Sequence, residues 1–232
     1  SAVKKYERKF NGRKTSQLRV SAKEIKEARS KISREEVTAL QTMSSRLYNS
    51  SPKILVRGSR KFVPIPSVGC YIPGGQARYP SSVVMSIIPA KIAGVKRIVV
   101  VSPPGRDGKI DPLTIVSAKK CGASEIYKVG GAQAIGALAY GTKSIPKVDK
   151  IVGPGGKFVS IAKSLVSDQT AIDMIAGPTE LGIIADASSD PELVALDLIS
   201  QAEHSKDTMC FVITQSKTVA KQIQKSIEKS IS

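Results

Sequence analysis

The chain has 232 residues, 41% of them apolar, enough for one large core or two small ones. Its net charge is +17, but residues 1–63 hold 17 Lys and Arg against 5 Asp and Glu, while the rest holds 19 against 14. Aromatics are only 4%, which argues against a nucleic-acid stacking platform, and no run approaches the roughly 18 apolar residues that span a membrane.

The basic excess therefore belongs to the N-terminal segment and reads as a solvated face, or as attraction to an anionic ligand or partner. The start, Ser1 to Tyr6, is charged, lacks a signal-peptide core and lacks Met, as a processed chain or a piece of a longer one does. Cys70, Cys121 and Cys210 are odd in number and widely spaced, which points to a reducing, cytoplasmic compartment.

Ser21-Ala22-Lys23-Glu24 and Ser33-Arg34-Glu35-Glu36 are capping boxes, and the apolar spacing after them predicts helices over 22–31 and 34–48. Residues 53–66 read as extended, with Pro64 and Pro66 favouring an edge or loop. From Val68 the texture becomes alternating. Strands are expected over 68–72, 97–102, 125–129, 150–152 and 171–175. Between them come helices over 82–93, kinked or interrupted at Pro89, from Asp111-Pro112 to Cys121, over 131–140 and over 157–166. This βαβ alternation implies a parallel sheet flanked by helices. After the break at Ala176-Gly177-Pro178-Thr179, a strand (181–185), a helix (191–203, N-capped by Asp190), a strand (209–214) and a basic helix (217–229) follow. Two α/β units thus meet at two Gly/Pro hinges, Tyr71–Gly75 and Ala176–Thr179.

Three segments could carry chemistry. Gly74-Gly75, Gly130-Gly131 and Gly153-Pro154-Gly155-Gly156 each stand between a strand and a helix, where backbone N–H groups can hold phosphate or merely turn tightly. None fits the G-x-G-x-x-G fingerprint. Gln201-Ala202-Glu203-His204 holds the single histidine, and Gln201 and His204 share one helix face. They read either as two metal ligands or as a helix-end cap, and a zinc site wants at least three protein ligands. Asp173, Thr179 and Glu180 surround a turn at a strand end, where ligands bind in open sheets, though a cap and a surface acid account for the last two equally.

Five segments in order, Val68-Gly69-Cys70-Tyr71-Ile72-Pro73-Gly74-Gly75, Val129-Gly130-Gly131-Ala132-Gln133-Ala134-Ile135, Lys147-Val148-Asp149-Lys150-Ile151-Val152-Gly153-Pro154-Gly155, Asp173 to Glu180, and Ser200-Gln201-Ala202-Glu203-His204, resemble the histidinol dehydrogenase family. The resemblance covers essentially the whole chain. It implies a zinc enzyme that oxidises L-histidinol to L-histidine in two steps with two NAD. It also implies a homodimer with shared active sites and two incomplete Rossmann-like α/β/α units, one inserted into the other, behind N-terminal helices. With the hinges, this places residues 71–179 as the insertion between 1–70 and 180–232.

By position, Tyr71 and Gln133 match NAD contacts, Gln201 and His204 match two zinc ligands, and Thr179 matches a position beside the substrate. Gly156 stands where the family usually has a nucleotide-contacting Asn, and Ser205 where Gly is usual. The family's Glu–His proton-transfer pair, and a further Asp and His that bind zinc, match no residue here. The chain is therefore expected to be inactive alone. Two alternatives stay open: a shortened homologue acting as a binding module, and one half of a split enzyme.

Overall fold

The structure is a computed structural model and describes residues 2–11, 17–50, 63–74, 78–174, 180–203 and 208–231. The chain divides into two compact units, residues 1–175 and 176–232.

Among the described residues of the first unit, helices α1 (Ala2–Asn11), α2 (Ala22–Arg29) and α3 (Arg34–Ser50) precede the sheet. The Ser21 capping box is formed: Glu24 N–H donates to Ser21 Oγ at 3.2 Å, and Ser21 N–H donates to Glu24 Oε2 at 2.9 Å. The Ser33 box forms likewise with Glu36. The sheet elements are β1 (Ser67–Tyr71), α4 (Pro80–Ile92), β2 (Arg97–Ser102), α5 (Pro112–Cys121) and β3 (Glu125–Lys128). They continue with α6 (Gly131–Tyr140), β4 (Lys150–Val152), α7 (Lys157–Leu165) and β5 (Ala171–Ile172). Helix α4 runs through Pro89, and β5 ends three residues earlier than expected.

All pairings in this sheet are parallel, in the order β3-β2-β1-β4-β5. Strands β1 and β2 are buried on both faces, hence their near-continuous apolar runs. Alternation sends Val68, Cys70, Ile72, Ile98 and Val100 to a core shared with α4 and α5, and to Ala28 of α2 and Leu40 of α3. Tyr71, Val99, Val101 and Ile151 go to the opposite core, with α6, α7 and Val3 of α1. The chain builds outward from β1 through β2 to β3, then returns to add β4 and β5 on the other side. The strand order therefore reverses between β1 and β4, and a crevice is expected at their C-terminal ends.

The second unit is a parallel pair, β6 (Glu180–Ala185) and β7 (Met209–Thr214), with α8 (Pro191–Ala202) and α9 (Lys217–Ile231). Asp190 caps α8, accepting from Glu192 N–H at 2.9 Å, with Pro191 at the first helical position. Ala185, Leu198, Val219 and Ile223 form its core. Within this unit Ile184, Met209, Phe211 and Ile213 remain exposed. Among the described residues, no helix is long and apolar enough to cross a membrane.

Candidate functional site

Tyr71 ends the central strand β1 and is only 5% exposed. Its hydroxyl accepts a hydrogen bond from Gly131 N–H at 3.1 Å, occupying one of the free donors at the start of α6. Burial pushes the phenol above its ordinary range; the Gly131 N–H works against that rise and the Glu7 carboxylate adds to it. Gln133, in the first turn of α6, donates its Nε2 to Glu7 Oε1 at 2.7 Å. Glu7 itself is fully buried in α1. The sequence gives little sign of it, because it is one acid in a basic run. Gly130 and Gly131 start α6 without a side-chain cap. A Cβ on Gly130 would lie 2.4 Å from Pro103 Cβ, so only glycine lets the loops after β2 and β3 approach this closely.

The loop after β4 is the second part of the site. Gly153 has φ +109°, and a Cβ there would lie 2.1 Å from the Tyr71 carbonyl oxygen. The turn thus sits directly on the end of β1, at the strand-order reversal. Its N–H donates to Asp173 Oδ2 at 2.7 Å, and its carbonyl accepts from Lys163 Nζ at 3.1 Å. Lys163 and Asp173 also form an ion pair with each other. Burial raises the Asp173 pKa, but Lys163 and the N–H groups of Gly153 and Met174 outweigh it and hold the carboxyl below its ordinary range. Three residues on, Gly156 is the N-cap of α7, with φ −66° and ψ 176°. Its side chain position is open, with no atom within 4 Å of a built Cβ. A groove of about 840 Å³ runs beside this turn, lined by Met85, Pro89, Val152, Pro154 and Asp173 among others.

The C-terminal edge also borders a cavity of about 400 Å³ near Glu24, Arg78, Lys109 and Asp111. Most of its charges are paired: Arg78 with Glu36 and Asp111, Lys109 with Glu27, and Glu24 with Lys128. It therefore offers little net charge to a ligand. Cys70 is buried and its thiol is pushed up to about 12, chiefly by burial, so it is not a nucleophile.

Of the residues singled out from sequence, Tyr71 and Gln133 are brought together around Gly131, and Gly156 belongs to the turn that packs on Tyr71. Gln201 lies half-buried in the last turn of α8. Thr179 and His204 lie outside the described residues. Among the described residues, no three His, Cys, Asp or Glu side chains gather as a metal site. Gln201 and His204 are two donors where zinc takes at least three, so the donors named in this chain do not complete a zinc site. The fit to a dinucleotide is better. Two helix N-termini, α6 and α7, carry bare glycine turns at the C-terminal edge of a parallel sheet, where phosphate is favoured.

The family model for histidinol dehydrogenase matches residues 1–232. The chain belongs to the histidinol dehydrogenase family. A histidinol dehydrogenase of Bacillus anthracis is 45% identical over 242 residues, an alignment that takes in 99% of this chain and 56% of the relative. The chain thus spans about half the length of the curated histidinol dehydrogenases it matches. The crystal structure of histidinol dehydrogenase from Elizabethkingia anophelis has a TM-score of 0.90 and 37% identity, covering 99% of this chain and 56% of that one. An acetylating aldehyde dehydrogenase from Geobacillus thermoglucosidasius has a TM-score of 0.51 at 17% identity over 84% of this chain and 46% of its own, a likeness of fold alone.

Proposed function

We propose that this chain supplies the NAD-binding unit, and two of the zinc donors, of an enzyme that oxidises L-histidinol to L-histidine. The observation that carries the reading is the arrangement at the β1/β4 reversal. There the Gly153 turn rests on Tyr71, Tyr71 meets Gly131, and Gln133 stands two residues beyond. NAD, when bound, accepts hydride; Tyr71, Gln133 and the N-termini of α6 and α7 bind and orient it. Gln201 and His204 contribute to zinc, and Thr179 lies beside the substrate.

The chain holds one histidine in total, and the reading assigns it to zinc. A His for proton transfer must then come from outside this sequence. Within the second unit, β6 and β7 keep an apolar face on which Ile184 is 86% exposed. Residues 176–232 read as part of a second Rossmann-like unit, while residues 1–70 pack with the first. The reading includes a homodimer with shared active sites and a cytoplasmic location.

The test is histidinol-dependent NADH formation by the mass-verified 232-residue polypeptide with zinc, beside an NAD titration followed by calorimetry. Saturable NAD binding without turnover above a His204→Ala control is expected. Absence of NAD binding would overturn the reading of the first unit. Turnover would mean that an acid present here, Glu180 or Glu203 first, acts as the base.

A further inference from the structure

Lys163 is an anomaly in its helix. It sits on the face of α7 that also carries Val159, Ala162 and Val166, and it is 2% exposed. A buried ammonium needs partners, because its desolvation costs several kcal/mol. Its partners are specific. One is the Asp173 carboxylate, just past β5, and the other is the carbonyl of Gly153, just past β4. Asp173 in turn takes the N–H of the same Gly153 with its other oxygen. Both backbone polar groups of one residue are thus held by the two halves of one ion pair. Each half comes from a different element.

If fold stability alone were served, this arrangement would be poor value. Lys163 is buried and Asp173 keeps 29% of its side chain exposed; replacing an ion pair largely withdrawn from water with apolar residues of similar size is commonly neutral or stabilising. What the pair adds is direction. It fixes a turn at φ +109° against the Tyr71 backbone, and the N-terminus of α7 follows three residues later. We propose that Lys163 and Asp173 are positioning residues for a dinucleotide, holding the turn 153–156 so that the N–H groups opening α7 face its phosphates. This inference rests on the NAD-binding reading given above. Neither residue touches the ligand; both act through Gly153.

The discriminating variant is Lys163→Met with Asp173→Leu, which removes both charges together. Thermal unfolding of the first unit is expected near that of the parent. Its NAD dissociation constant is expected to rise by at least about tenfold, the equivalent of one charge-assisted hydrogen bond. Amide hydrogen exchange over residues 153–158 should quicken while exchange in β2 stays slow. A merely structural pair would not separate binding from stability in this way. Asp173→Asn serves if the double variant does not fold. It keeps the acceptor for Gly153 N–H, loses the charge, and is expected to weaken NAD binding with loop exchange again faster. Parent-like affinity together with parent-like exchange in the folded variant overturns the positioning role and leaves the NAD reading intact. Failure of the parent to bind NAD overturns both.

Discussion

Gly156→Asn is the substitution on which sequence and structure make the sharpest joint demand. Gly156 is the N-cap of α7 with an ordinary extended backbone, so a side chain meets no conformational strain. A Cβ there has no neighbour within 4 Å, and no side chain caps the helix now. Asn is among the best N-caps and exceeds Gly by a few tenths of a kcal/mol. Replacing glycine at a compatible φ also removes about 0.4–1 kcal/mol of unfolded-chain entropy. Together the gain should be about 0.5–1.5 kcal/mol. For a unit of residues 1–175 that converts to a rise in Tm of about 1–6 °C. The amide also stands at the position where the family usually contacts the nucleotide. One added neutral hydrogen bond, about 0.5–1.5 kcal/mol, would tighten NAD binding about two- to tenfold. Calorimetric unfolding and an NAD titration read the two effects separately, with Gly156→Ala as the control that gains entropy but no cap. An Asn variant no more stable than the Ala variant would refute the capping geometry. A stabilised Asn variant with unchanged NAD affinity would remove position 156 from the nucleotide site.

Gly153→Ala should destabilise the first unit by at least about 2 kcal/mol, since the left-handed φ and the approach to the Tyr71 oxygen both oppose a methyl group; urea unfolding measures it. Asp173 has a folded pKa below its unfolded value, so its stabilising contribution is complete above the usual carboxylate range and is lost as pH falls through that range. The Tm of the first unit should therefore drop between about pH 5 and pH 3, less steeply in Asp173→Asn. Glu24 and Glu125 are lowered likewise and keep some of that slope in the variant. His204→Ala should weaken zinc uptake while leaving thermal stability almost unchanged; equal uptake by parent and variant would remove His204 from the ligand set.

Much of the fold was legible because local and global signals agree. Asp111-Pro112 and Asp190-Pro191 mark helix starts by cap chemistry, and both aspartates accept from the N–H groups as expected. Arg97–Ser102 is a run that only a doubly covered strand sustains. Helix α1 was not legible by periodicity. Its buried residues, Val3 and Glu7, differ in kind, and Glu7 is held by Gln133, 126 positions away. The Lys163–Asp173 pair leaves one sign in the sequence, a lysine at a core position of an amphipathic helix. Its partner could not be named from sequence, because only the sheet order brings β4 and β5 side by side. The family resemblance reached Tyr71 and Gln133, but not the fact that both are already engaged inside the protein.

The parallel order of the sheet also bears on how the crevice comes into being. Val68 pairs with Ile98 on one side and with Lys150 on the other, separations of 30 and 82 residues. Loop-closure entropy alone makes the second pairing costlier by about 0.9 kcal/mol. Strands β1, β2 and β3 are therefore expected to assemble first, with β4 and β5 docking afterwards. The seam between β1 and β4 is then the last line in the sheet to zip. Pulse-labelled hydrogen exchange during refolding should show β2 amides protected before those of β4. A nascent chain would acquire its ligand-binding edge only at the end of folding, so nucleotide could trap the finished sheet but could not template the earlier strands.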